Sequence, residues 1–199
     1  MQQKSLLIAG LAIFILAASG LYWFTLEKDR LEAENTPLEI PANLIRLDNF
    51  DQVTEIFNRD SGFVRVLALL SPSWPASLRA FSALQDIAKQ QPDVRIRFYI
   101  IWIPIYQTDD WQTVVAQSNQ FQDARLTYFW DPNQISGITW QQALNFDQTA
   151  WDLYFIYGRE KRWQFEPDLP EFWMRQLKGV VEAPLFDAAI FESRIKEML

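Results

Sequence analysis

The sequence predicts an α/β domain with a mixed β-sheet flanked by helices, and three observations carry that reading. Two short apolar runs, VRVLALL at 64–70 and RIRFYIIWI at 95–103, have the near-continuous hydrophobicity of strands buried on both faces. Between them, Pro75 can open a helix whose Leu78, Phe81, Leu84, Ile87 and Ala88 form one apolar stripe. Strands and helices then alternate in the order βαβ followed by ββα, which places helices over the faces of a sheet.

Phe50, Val53, Ile56 and Phe57 recur at helical spacing and predict a helix over 48–59, stopped by Ser61 and Gly62. Pro104 ends the second central strand. Residues 109–120 read as a helix, 125–130 (RLTYFW) as a short strand and 135–144 as a further helix. Beyond them, 151–157 (WDLYFIY) reads as a strand, Gly158 as a turn and 161–165 as an edge strand. A helix over 187–199 closes the chain. No internal repeat or low-complexity tract interrupts this order, so 44–199 is expected to form one unit.

The chain has 199 residues, 49% hydrophobic and 22% charged, the balance of a protein with a full core rather than a disordered tail. Residues 5–26 (SLLIAGLAIFILAASGLYWFTL) carry no charge. At about 1.5 Å per residue they are long enough to cross a hydrocarbon core of roughly 30 Å as one helix. They are expected to form a single transmembrane anchor behind a short tail, 1–4. A cleaved signal peptide is the competing reading, because Ala17, Ala18 and Ser19 are small enough for a peptidase. Leu21, Tyr22, Trp23 and Phe24 continue past that point and suit an aromatic interfacial belt better than a soluble terminus. Residues 27–43, charged and containing Pro37 and Pro41, read as a linker. Lys4 on one side and Lys28 with Arg30 on the other leave the positive-inside count undecided. A short tail, one anchor and then a folded domain is the arrangement expected of a domain outside the cytoplasm.

Composition closes most catalytic plans. The chain has no Cys and no His. That removes thiol nucleophiles, disulfides, zinc, haem and Fe–S sites built on those residues, and every Ser-His or Cys-His arrangement. A formal net charge of −7 with no basic run argues against a nucleic-acid partner. Nine Trp, six Tyr and 15 Phe supply large, flat packing surface instead. No catalytic residue, metal site or cofactor is expected.

Ser71-Pro72-Ser73-Trp74-Pro75-Ala76-Ser77 joins the first central strand to its helix, and a helix N-terminus is where a thiolate would be stabilised. The run VLALLSPSWPASLRAF resembles the strand, turn and helix of bacterial membrane-anchored thioredoxin-like proteins that carry a Ser-Pro-x-Cys-Pro-x-Cys signature. Trp74 and Ser77 stand at its two cysteine positions. Tyr128-Phe129-Trp130-Asp131, and Ala150-Trp151-Asp152-Leu153-Tyr154 through Gly158 and Trp163, resemble later motifs of the same group. The likeness spans roughly 44–163. It implies a thioredoxin-like fold, a single-pass location in the bacterial inner membrane and a domain on the periplasmic side. With both cysteines replaced, dithiol exchange is not possible, since the thiolate is the nucleophile. Thioredoxins keep a cis-proline before the strand read at 151–157. This chain has Ala150 there, which weakens that family's peptide-docking site.

The candidate binding residues are therefore Trp74, Pro75, Ser77, Ala150 and Trp151. Trp74 offers a partner a flat apolar contact, although it could instead fold over its own core. Ser77, with no His to serve as base, reads as a capping or packing serine. Asp109 reads as a helix N-cap and Asp131-Pro132 as a turn; neither these nor Asp110 have the spacing of a calcium loop. Asp152, a carboxylate in an apolar strand, is the most unusual acid. Trp102, Tyr106, Trp111, Phe129, Trp130, Trp140, Trp151 and Trp163 read mostly as core, and any exposed subset would form a partner or ligand surface. Three functions compete. One is a redox-inactive, membrane-tethered module that binds or assembles with an envelope protein. Another is a Cys-independent enzyme using Asp152 and Asp131. The third is a small-molecule binder in an aromatic cleft, which needs a closed pocket of several hundred Å³.

Overall fold

The two continuous apolar runs become neighbouring parallel strands at the centre of a six-stranded sheet. The computed structural model describes Glu27 and residues 38–199, apart from 165 and 181. The expected anchor at 5–26 and most of the linker lie outside the described residues. Among the described residues no helix is long and apolar enough to cross a membrane. The elements run β1 (Leu44–Arg46), α1 (Asp51–Arg59), β2 (Val64–Leu70), α2 (Pro75–Gln90), β3 (Ile96–Trp102) and α3 (Trp111–Asn119). They continue with β4 (Leu126–Trp130), α4 (Ile135–Leu144), β5 (Leu153–Tyr157), β6 (Phe172–Arg175) and α5 (Ala188–Met198). The sheet order is β1-β4-β3-β2-β5-β6. The first four strands of that order are parallel, and β5 and β6 are antiparallel to their neighbours.

Alternation along the strands divides the core into two layers. Val64, Val66, Ala68 and Leu70 of β2 pack toward α2, α3 and α5 with Phe81, Leu84, Val114 and Phe191. Leu67 and Leu69 face the other way, toward Val53 and Phe57 of α1 and Trp140 of α4. A sheet covered by helices on both faces needs apolar side chains in both directions, which is why β2 reads as an unbroken run rather than an alternating one. β2 is buried along its whole length.

The one charged residue in that run, Arg65, is fully buried. Its guanidinium donates to the carbonyls of Phe57 (3.1 Å), Lys161 (2.9 Å) and Arg159 (3.3 Å), and to that of Gly158. It also lies 4.1 Å from the centroid of the Phe57 ring. Burial lowers the Arg65 pKa, opposed by the nearby Tyr99, Glu171 and Asp60. Four carbonyls, one in α1 and three just after β5, thus share one cation. Arg65→Met keeps the apolar stem and strands the carbonyls, so urea denaturation is expected to show a loss of about 2–3 kcal/mol.

The structure departs from the sequence expectations at the sheet edges. β1 was not foreseen: three residues behind Pro41 give no periodic signal, and their order comes from parallel pairing with β4. Residues 161–164 form no strand. Asn58 clamps that segment, its Nδ2 donating to the Trp163 carbonyl (2.7 Å) and its Oδ1 accepting from the Trp163 N–H (2.9 Å). The Trp163 ring stacks on Phe57 at 3.6 Å. Trp163 therefore serves the core through α1 instead of extending the sheet, and the edge strand is β6, at 172–175. The α1 and α3 helices and the β5 strand begin two to three residues later than their sequence patterns suggest.

Candidate functional site

The C-terminal ends of the parallel strands and the N-terminal end of β5 bring five connections to one end of the sheet: 47–50, 71–74, 103–110, 131–134 and 145–152. Such strand ends, where helices begin, are where α/β sheets generally hold ligands. The turn after β2 is built by its own serines. Pro75 occupies the first turn of α2, and the residue before it, Trp74, is extended, as a pre-proline position favours. No side chain caps the helix. The Trp74 N–H instead donates to Ser71 Oγ at 3.1 Å.

Asp109 holds this turn to the loop after β3. Its Oδ2 accepts from Ser71 Oγ (2.9 Å) and from the N–H groups of Ile105 (2.8 Å) and Tyr106 (2.9 Å). Its Oδ1 accepts from the Ser73 N–H at 3.1 Å. Asp109 is thus not the cap of α3. That role belongs to Asp110, whose side chain accepts from the Thr113 N–H at 2.8 Å. The two neighbouring acids divide the work by burial, Asp109 facing inward and Asp110 outward.

A second network lies under the start of α2. Ser77, fully buried, donates to Asp152 Oδ1 at 2.6 Å and accepts from the Ser71 N–H at 3.2 Å. Tyr154 OH also donates to Asp152 Oδ1 (3.1 Å) and accepts from Gln176 Nε2 (2.6 Å), which reaches the Ala76 carbonyl at 3.3 Å. The Gln176 N–H donates to the Asp152 carbonyl at 2.7 Å. Asp152 itself sits in the left-handed region, φ 52°, just before β5. Burial raises its carboxyl pKa, while the Ser77 and Tyr154 hydrogen bonds and the Arg79 charge pull it down.

Above these networks stand three aromatic rings. Trp74 stacks on Tyr106 with centroids 5.2 Å apart and planes 21° from parallel. Trp151 meets both edge-on, at 6.3 Å from Trp74 and 6.1 Å from Tyr106. Trp74 and Trp151 are half-buried, Pro75 is exposed and Tyr106 is 40% exposed. Of the five candidate residues, the structure brings Trp74, Pro75 and Trp151 to the surface. Ser77 and Ala150 are fully buried and support that surface from beneath. Ala150 is wedged against α4, its N–H donating to the Gly137 carbonyl at 3.1 Å. A Cβ on Gly137 would lie 3.0 Å from the Ala150 carbonyl and 2.6 Å from Thr149 Cγ2. Tyr154 and Gln176 were missed as site residues, and Tyr106 was named only within the aromatic cluster, since nothing local in the sequence brings positions 106 and 176 to the turn at 71–77.

Asp131 anchors α4, accepting from the N–H groups of Ile135 (2.9 Å) and Ser136 (2.7 Å) and from Ser136 Oγ. It flanks β4, whereas Asp152 flanks β5, with β3 and β2 between them. At about 4.8 Å per strand the two acids are separated by roughly 14 Å. Among the described residues no cluster of three or more acids could hold a metal ion.

This strand order, with a mixed sheet flanked by helices and a helix starting at the turn after a central strand, fits a thioredoxin-like fold. No Cys is present to supply a dithiol, which is consistent with a redox-inactive domain. No family model matches the chain, and no curated protein matches its sequence. Solved structures give likenesses of shape. One is a secreted Mycobacterium tuberculosis disulfide oxidoreductase homologous to E. coli DsbE, 12% identical, covering 70% of this chain and 84% of that one, with a TM-score of 0.46. Another is MTB DsbF in its mixed oxidized and reduced forms, 12% identical, covering 69% of this chain and 82% of that one, with a TM-score of 0.43. The fold assignment rests on the strand order and pairing.

Proposed function

We propose that this chain is a redox-inactive thioredoxin-like module, tethered to the bacterial inner membrane by 5–26. Its domain lies on the periplasmic side and binds another envelope protein through Trp74, Tyr106 and Trp151, with Pro75 at the rim. The observation that carries the reading is the half-exposed aromatic trio over the turn that resembles a redox motif. Aromatic side chains on a rigid support lose little conformational freedom on binding and commonly dominate interface energetics. Here Asp109 ties the turn to the loop after β3, and Asp152 ties the first turn of α2 to the start of β5.

The alternatives have less in their favour. Asp131 is bonded to its own helix and stands three strand spacings, roughly 14 Å, from Asp152. Of the cavities described, one between α2, β3 and β4 has about 10 Å³. The other, about 450 Å³ and lined by Arg162, Gln164, Glu166 and Asp168, follows the far end of β5 and is polar. Neither is a closed aromatic pocket.

A photo-crosslinking residue at position 106 of the full chain, in intact cells, is expected to give one defined protein adduct that the same residue at exposed position 94 does not. Equal adducts from both positions, or none from 106, would contradict the reading. Protease added to spheroplasts should digest the domain without lysis; protection until lysis would contradict the periplasmic placement.

A further inference from the structure

Resting on the reading of the aromatic surface as a protein contact, we propose that the segment docking there is basic. An arginine side chain lies on the Trp74 and Tyr106 rings, and further cations face Asp110 and Asp147.

The charge around the rings has one sign. The connections at this end of the sheet, 47–50, 71–74, 103–110, 131–134 and 145–152, carry Asp48, Asp109, Asp110, Asp131, Asp147 and Asp152, and neither Lys nor Arg. Asp109 and Asp131 are buried, and their partners are N–H groups and hydroxyls, which bring no charge. Asp48, Asp110 and Asp147 are exposed, and none of the three forms an ion pair among the described residues. Arg46 ending β1, Arg79 one turn into α2 and Lys178 after β6 flank this end without entering its connections. The opposite end is mixed: Arg95, Arg125 and Lys161 stand among acids there and pair with Asp93, Asp123 and Asp168.

The rings and the acids favour the same ligand. An aromatic face carries negative potential and attracts a cation laid over it, and a planar, weakly hydrated guanidinium stacks there more readily than an ammonium. Trp74 and Tyr106 stack on one another, so each turns one face to its neighbour and keeps the other, and Tyr106 is 40% exposed. Asp110 is a fixed anion beside them. It accepts from the Thr113 N–H and Oγ1, both at 2.8 Å, and these bonds hold its carboxyl below the usual carboxylate range. Its neighbour Asp109 returns its N–H to the Tyr106 carbonyl at 3.0 Å, and Thr108 Oγ1 lies 2.8 Å from Ser73 Oγ, next to Trp74. A second copy of this chain, or an acidic segment, would set like charges face to face. A purely apolar segment would cover the rings and leave the exposed acids without a partner.

The test is an NMR titration of the ¹⁵N-labelled full chain, in zwitterionic detergent micelles at low salt, with a blocked glycine-rich peptide carrying two arginines. Matched peptides carry glutamate, or citrulline, which has the shape of arginine without its charge. The indole N–H signals of Trp74 and Trp151 are expected to move saturably with the arginine peptide, at an affinity roughly fivefold or more above that of the citrulline peptide. The glutamate peptide should leave them in place. Asp110→Asn combined with Asp147→Asn removes two charges while asparagine still caps α3. This double variant should weaken arginine binding by about threefold or more, leave citrulline binding unchanged, and lower the cellular adduct from position 106 by a similar factor. Equal affinity for arginine and citrulline, tighter binding of the glutamate peptide, unmoved Trp74 signals, or undiminished arginine binding in the double variant would each overturn the basic segment. An adduct of full yield in the double variant would overturn it and leave the protein contact standing. No adduct from the wild-type chain would overturn the contact and the basic segment together.

Discussion

Asp109→Ala is expected to lose about 3–5 kcal/mol of folding stability, the largest loss from any single side chain at this end of the sheet. The reason is the number of donors that converge on it. Three backbone N–H groups and the Ser71 hydroxyl give their protons to one carboxylate, which is 7% exposed. Removing it leaves all four facing a cavity, and Ser71 in turn holds the Trp74 N–H. Asp109→Asn separates the acceptor role from bulk. With its oxygen in the Oδ2 position it keeps three of the four donors and sets its amide against the Ser73 N–H, so a smaller loss of about 1–2 kcal/mol is expected. Urea denaturation of both variants, followed by Trp fluorescence, checks the order. Equal stability of Asp109→Ala and the wild type would contradict the bracing role given to this carboxylate.

Trp74→Ala is expected to behave in the opposite way, with a modest effect on folding and a large one on binding. Its ring is half-buried and stacked on Tyr106, so truncation should cost about 1–2 kcal/mol of stability. At an interface the same ring, packed between Tyr106, Trp151 and a partner, should behave as a hot spot. Losing at least 2 kcal/mol of binding corresponds to a drop of about thirtyfold in affinity. Thermal unfolding together with adduct yield from position 106 separates the two effects.

The central architecture was legible because β2 and β3 are buried on both faces and α2 carries its apolar stripe and opening proline in plain view. The short edge strands were not. Leu44–Arg46 and Phe172–Arg175 gain their order from neighbours far along the chain, and Trp163 looked like a strand residue because its partner, Asn58, lies across the fold. The site divides in the same way. Trp74 and Asp152 stood out in the sequence, one as a large aromatic at a helix entry and the other as an acid in an apolar run. Tyr106 and Gln176 are ordinary residues in sequence and become part of the site only when parallel pairing of β2 with β3, and antiparallel pairing of β5 with β6, carry them to the same end. Asp109 and Asp110 show the limit most simply. Either could cap a helix by composition, and only burial of the first decides which one braces the turn.

The aromatic surface over the turn at 71–77 is proposed as a protein contact, and one measurement bears on it directly. In intact cells, the adduct formed from a crosslinker at position 106 should fall at least tenfold when Trp74→Ala is introduced, with the folded protein present at an unchanged level. An adduct of undiminished yield in the Trp74→Ala chain would contradict it.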